Sequence, residues 1–272
     1  MQSFVNKYVR ISDISAYLLC PRLSYFRRKH RSFTASPETV RSAVFKEISR
    51  SLPGVLKDGD PESALRSQIE IACRDAEIVY AIPVEDVMSE ALEMVRDIIA
   101  GLSAESARIG RDRLSAILNP YERGQIIYSD RLGLSGSVDR IALLDDTRCP
   151  VVVIASRPPE NGIFAADRLK LAACAMLIEE KYGEPASQGV IEYVCGWRVR
   201  ETEIRKSDRM AVLSARNRIV QTGSAMPDTR RGTWCRTCQF AESCNVRPTF
   251  MSTLFRPMLL DNTALSRNET NK

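Results

Sequence analysis

The 272 residues, 44% hydrophobic and 27% charged, have the composition of an ordinary soluble globular protein with a substantial core, in one large domain or two small ones. Strictly apolar runs such as Val151 to Ala155 are too short to span a membrane, and the N-terminus lacks a secretory apolar region, so the sequence reads as cytoplasmic. A net charge of +5, from 39 cationic and 34 acidic side chains, is compatible with a nucleic-acid partner without demanding one.

In chain order, residues 12–30 read as a helix, with Ser12 as its cap and Pro21 suited to a first helical turn. Ser36-Pro37-Glu38 opens a second helix, with Val40, Val44 and Ile48 on one stripe. Asp60-Pro61-Glu62 opens a third, running toward Asp75. Residues 84–100 form a fourth, with Val84, Val87, Ala91, Val95 and Ile98 at helical spacing, and 103–118 a fifth. The period then changes. Residues 125–131 and 134–144 read as a strand hairpin, and Pro150 to Ala155 as a central strand covered on both faces. A helix at 164–181, strands at 189–195 and 198–204, and a helix at 206–221 follow. Residues 232–244 form a cysteine module, and the polar stretch 262–272 reads as a disordered tail.

The expected architecture is α/β, with a mixed central sheet flanked by helices. It fills one domain over 1–261: a helical lobe at 31–120, a sheet-bearing core at 121–222, and a cysteine module from 12–30 plus 230–250.

Eight cysteines in a reducing compartment argue for metal or free thiols over disulfides. Cys235, Cys238 and Cys244 lie close together in Gly-Thr-Trp-Cys-Arg-Thr-Cys-Gln-Phe-Ala-Glu-Ser-Cys. A Cys-x2-Cys turn aims two thiolates at one point, and Cys244 can close a third side. Cys20, in Leu-Leu-Cys-Pro-Arg, is the best fourth ligand because Cys-Pro-Arg opens a helix beside Tyr25 and Phe26. Cys73, Cys149, Cys174 and Cys195 compete, but sit in segments where a core thiol is the default. Soft thiolates select zinc or an iron–sulfur cluster. Such a centre would tie the chain's start to its end, and closing so long a loop costs roughly 5 kcal/mol. It would also bring two basic runs together, Arg27 to Arg31 and Arg230, Arg231 and Arg236, on a face suited to phosphate backbones or simply solvated. His30, the sole histidine, reads as surface. Tyr25, Phe26 and Trp234 could stack bases, though Phe26 reads as core.

Nearly the whole chain resembles the CRISPR-associated RecB-like exonucleases, iron–sulfur members of the PD-(D/E)xK nuclease superfamily that act in spacer acquisition. The resemblance runs from Ser12-Asp-Ile-Ser-Ala-Tyr-Leu-Leu-Cys-Pro-Arg through Gly136-Ser-Val-Asp-Arg and the Asp167-Arg-Leu-Lys-Leu-Ala-Ala-Cys helix to the cysteine triplet. It implies a restriction-endonuclease-like fold and a [4Fe–4S] cluster on Cys20, Cys235, Cys238 and Cys244. It also implies DNA as partner, single-stranded or with single-stranded ends, and an integrase complex. The metal-binding aspartate of the family is kept as Asp139. The family's Glu-x-Lys strand, however, falls on Ile154-Ala155-Ser156, its second-helix histidine on Phe45, and its Gln-x3-Tyr motif on Lys170 and Cys174.

The expectation is therefore a retained scaffold with impaired or absent hydrolysis and a doubtful Mg²⁺ or Mn²⁺ site. The alternatives are an active single-strand exonuclease using Asp139 and Lys170, and a scaffold that never touches DNA. In the active reading Lys170 reaches from its helix to replace the missing lysine, with Glu192 or Asp167 as the nearest substitute carboxylates. Otherwise Lys170 is a solvated helix residue, and Asp139 a remnant paired with Arg140 or Arg168.

Overall fold

A computed structural model describes residues 7–30, 35–223, 225–236 and 238–246. It opens with β1 (Val9–Arg10), α1 (Ile11–Leu19) and α2 (Pro21–Lys29). The single helix expected at 12–30 is broken at Cys20, whose backbone is extended (φ −160°, ψ 121°). A residue before proline is pushed out of the helical region, and Pro21, lacking an N–H, suits the first position of a new helix. Ser12 is inside α1 rather than capping it; the Arg10 N–H at its start donates to Asp13 Oδ2 at 3.1 Å.

Ser36 caps α3 (Pro37–Val55) by accepting the Thr39 N–H at 3.3 Å. Asp60 caps α4 (Pro61–Tyr80) in the same way; this helix outruns its expected end. In place of two helices at 84–118 there are three: α5 (Glu85–Glu93), α6 (Val95–Ile109) and α7 (Arg111–Leu118). The breaks fall at Met94, whose N–H tightens onto Ala91 O, and at Gly110, whose φ of 87° suits only glycine well. Apolar periodicity continues across both breaks because every segment faces the same core.

The sheet holds β2 (Glu122–Ser129), β3 (Leu134–Leu144), β4 (Thr147–Ile154), β5 (Gln188–Tyr193) and β6 (Arg198–Glu203), in the order β1-β3-β4-β5-β6 with β2 also on β3. It is mixed, as expected: β4 and β5 are parallel, joined by the crossover helix α8 (Ala165–Tyr182), while β3–β4 and β5–β6 are antiparallel. α9 (Lys206–Thr222), a 3-10 turn (Thr233–Arg236) and α10 (Ala241–Cys244) follow among the described residues.

Two apolar cores sandwich the sheet. Val44, Ile48, Leu52, Ile69 and Ile98 of the α3–α6 layer pack with Val151, Val153 and Val190 on one face. Ile14, Leu177, Ile178 and Val212 of α1, α8 and α9 pack with Val152 and Ile191 on the other. Successive valines of β4 thus feed opposite cores, which is why that strand has no polar alternation. Among the described residues no helix is long and apolar enough to cross a membrane. The expected tail at 262–272, and residues 247–250 of the expected module, lie outside the described residues.

Candidate functional site

Asp139 lies on β3, 7% exposed. The β3–β4 ladder runs from Leu144↔Thr147 to Arg140↔Val151. Just beyond it, the Val153 N–H donates to Asp139 Oδ2 at 3.0 Å. Two lysines from opposite layers converge on the carboxylate. Lys46, on α3, donates to Oδ1 at 2.6 Å, and Lys170, on α8, brings its Nζ to 3.8 Å from Oδ2. Burial alone would raise the Asp139 carboxyl. The charges of Lys170 and Lys46, the Lys46 hydrogen bond and the Val153 amide outweigh it and hold the group below the usual aspartate value.

Lys170 therefore reaches the aspartate rather than standing in solvent. The arginines expected at Asp139 are elsewhere: Arg168 pairs with Asp208 at 2.9 Å and Arg140 with Glu192 at 2.8 Å. Lys46 was not anticipated. Its only sequence signal is a cation next to the buried Phe45, and α3 carries other charges, such as Arg41 and Arg50, from which nothing in the sequence separates it.

Neither substitute carboxylate joins Asp139. Glu192 is fully buried; besides Arg140 it accepts from Ser49 Oγ at 2.5 Å and from Trp197 Nε1 at 2.9 Å. The Arg140 guanidinium also donates to Ser49 Oγ. Asp167 accepts the Tyr193 hydroxyl at 2.9 Å, and burial raises its carboxyl against the pull of Tyr193 and Lys170. Ile154 ends β4 and packs with the α1–α8–α9 core, and Ser156 lies past the strand, its hydroxyl donating to Arg157 O at 3.2 Å. A hard divalent cation needs several oxygen ligands. Here the one carboxylate is already bonded to an ammonium and an amide, so the residues do not fit Mg²⁺ or Mn²⁺.

Cys20, Cys235, Cys238 and Cys244 are free thiols that all line one cavity of about 900 Å³. Among the described residues, no three His, Cys, Asp or Glu side chains group closely enough to hold a metal ion. The module is stitched to α2 by Arg22, which donates to Pro227 O at 2.8 Å and Cys244 O at 2.6 Å. Phe26, buried as expected, stacks on Phe240 with ring centres 5.2 Å apart. His30 is exposed, but stacks on both rings. Both basic runs reach the cavity through Arg27 and Arg231, beside Trp234 and Lys46, so the cavity extends from the thiols to the Lys46 side chain. Cys73, Cys149, Cys174 and Cys195 are buried core thiols, and burial pushes Cys149 up to about 11 and Cys174 up to about 12.

No family model matches the chain. A curated Archaeoglobus fulgidus protein, named only as uncharacterized, is 24% identical over 241 residues, covering 88% of this chain and 95% of its own. Among solved structures, a Eubacterium rectale protein named a candidate exonuclease aligns with a TM-score of 0.52 at 11% identity. The alignment covers 92% of this chain and 93% of that one, a likeness of fold across almost the whole length.

Proposed function

We propose that this is an iron–sulfur-binding, nuclease-fold protein that binds DNA and has lost hydrolysis. The observation that carries this reading is the state of Asp139, paired with two lysines that, among the described residues, pair with no second carboxylate. The exonuclease-like fold supports a nucleic-acid partner. The cation- and aromatic-lined cavity suits a single strand, because arginines meet phosphates and exposed rings stack bases without sequence preference.

Four free cysteine thiols line one cavity, a soft donor set compatible with an iron–sulfur cluster, with zinc as the alternative; the preference for the cluster comes from the resemblance. Cys20, Cys235, Cys238 and Cys244 would hold a [4Fe–4S] cluster. When bound, it would supply a redox-capable tie between α2 and the C-terminal module. The resemblance to the CRISPR-associated exonucleases is what suggests a role in CRISPR adaptation or related DNA processing, with an integrase as partner; the cytoplasmic location is the reading of the sequence composition.

A second reading, an exonuclease using Asp139 and Lys170, draws on the 3.8 Å approach of those two groups. One assay separates the readings: single-stranded DNA incubated with anaerobically purified protein and Mg²⁺ or Mn²⁺, beside Asp139→Ala. The expected result is intact DNA, salt-sensitive binding and iron in the purified protein. Cleavage abolished by Asp139→Ala would establish the exonuclease instead. A protein that binds no single strand at low salt would be a scaffold.

A further inference from the structure

We infer that Lys46 stands where a nuclease of this fold would hold its divalent cation, and that with Lys170 it forms a metal-independent site for a backbone phosphodiester. The phosphodiester half rests on the DNA-binding reading above; the displaced-metal half does not.

The charge balance comes first. One buried carboxylate faces two ammonium groups, an excess of about +1 over these three groups in a low-dielectric site, with Asp167 acting on Lys170 from outside the cluster. A divalent cation entering there meets repulsion. A phosphodiester, carrying one negative charge, brings the balance to zero.

Donor capacity points the same way. An ammonium has three N–H donors. Lys46 gives one to Asp139 Oδ1, and Lys170, at 3.8 Å, makes no hydrogen bond to any described residue. Both side chains keep part of their surface open, 28% for Lys46 and 22% for Lys170. Asp139 fixes both groups in place and leaves donors for an incoming oxygen.

Access is the third point. Lys46 lines the cavity that also carries Arg27, Arg231 and Trp234, so a strand lying along those arginines would bring a phosphate to it. Because the charge balance disfavours a divalent cation and, among the described residues, no second carboxylate pairs with these lysines, the held phosphodiester is gripped and not cut.

The test has two arms, both on the full chain. In the first, a labelled single-stranded oligonucleotide is titrated with wild type, Lys46→Met and Lys170→Met, each first shown to melt cooperatively. Wild-type binding should be the same in EDTA and in Mg²⁺. Each variant should bind several-fold more weakly, with the slope of log K against log salt shallower by about 0.7 for a lost single-strand phosphate contact. Unchanged affinity and slope in both variants would overturn the phosphate site.

The second arm needs no DNA. Mn²⁺ is titrated by electron paramagnetic resonance into wild type, Lys46→Glu, and Lys46→Glu combined with Asp139→Ala. Wild type should retain no Asp139-dependent Mn²⁺. Lys46→Glu, which sets a second carboxylate beside Asp139, should gain a Mn²⁺ site that the double variant loses. Asp139-dependent Mn²⁺ on wild type would show that Lys46 displaces nothing. Wild type failing to bind the oligonucleotide would sink the DNA reading and the phosphodiester with it, while the Mn²⁺ arm would still decide the metal question.

Discussion

The Asp139 carboxylate gives the site a pH signature. Its folded value lies below the ordinary 3.8, so its contribution is fully present above about pH 4 and drains away as pH falls through the lower folded value. Asp139→Asn should cost about 1.5–3 kcal/mol at pH 7, the range for a hydrogen bond to a charged group. Urea melts should show the gap to wild type shrinking below pH 4, and a gap constant down to pH 3 would contradict the linkage. The Arg140–Glu192 pair makes a different prediction. Both groups are almost wholly buried, so removing either partner strands a charge and should cost roughly 3–5 kcal/mol. Arg140→Met combined with Glu192→Leu should cost less than the sum of the single changes by denaturant titration. The two sites were unequally legible in the sequence. Asp139 and Lys170 could be placed from motif order, because the strand and the helix after it are near in sequence. Lys46 could not, since its helix is brought to β3 by packing alone. Glu192 could be placed near the site but not on a face; a charge within the apolar run of β5 needs a partner, and spacing does not say that the partner is Arg140.

At the scale of elements, α6 shows packing overriding propensity. Glycine inside a helix normally costs about 0.5–1 kcal/mol relative to alanine, so Gly101→Ala should stabilise the protein on propensity alone. The added Cβ would lie 2.6 Å from Gly196 O and press on Trp197 O, both backbone atoms of the β5–β6 turn. Overpacking of that kind costs about 1–3 kcal/mol, so the net expectation is destabilisation. A lowered melting temperature for Gly101→Ala checks this; a raised one would mean that the turn moves aside. The displaced residue would be Trp197, the indole donor to Glu192, so the variant should also weaken the buried pair. Most elements were readable because their apolar period differs: 3.6 through the helices, continuous in β4. The breaks at Met94 and Gly110 were missed, and the one at Cys20 was read only as a helix opening at Cys-Pro-Arg inside a continuous 12–30 helix, because a hydrophobic stripe records which face is buried, not whether the backbone is continuous. At Cys20 the following proline was in fact the signal. β1 is two residues long and exists only because β3 offers it a parallel edge, which no local pattern encodes.

Across the whole molecule, stability and the cysteine module are separable. The two cores on the sheet bury the side chains of α1 and α3–α9, whereas the 3-10 turn and α10 contain no buried residue. The module is held by the Arg22 hydrogen bonds and the Phe26–Phe240 stack, to which the proposed cluster would add. Binding free energy at such a site couples to the folding of the segments that supply the ligands, here α2 and residues 235–244. α1 keeps the N-terminal side anchored, since Ile11 and Ile14 sit in the core beneath α8. Chelating any metal bound at the proposed cysteine site, or replacing Cys235 and Cys238 with serine, should therefore leave far-ultraviolet circular dichroism and the main melting transition nearly unchanged. Limited proteolysis should reveal new cuts between residues 225 and 246, because local opening follows the segment with the fewest buried contacts. If the main transition collapses instead, the cluster would be a condition of the fold. If neither changes, the thiols hold nothing that matters to the module, and the Arg22 and aromatic contacts suffice to keep it on α2.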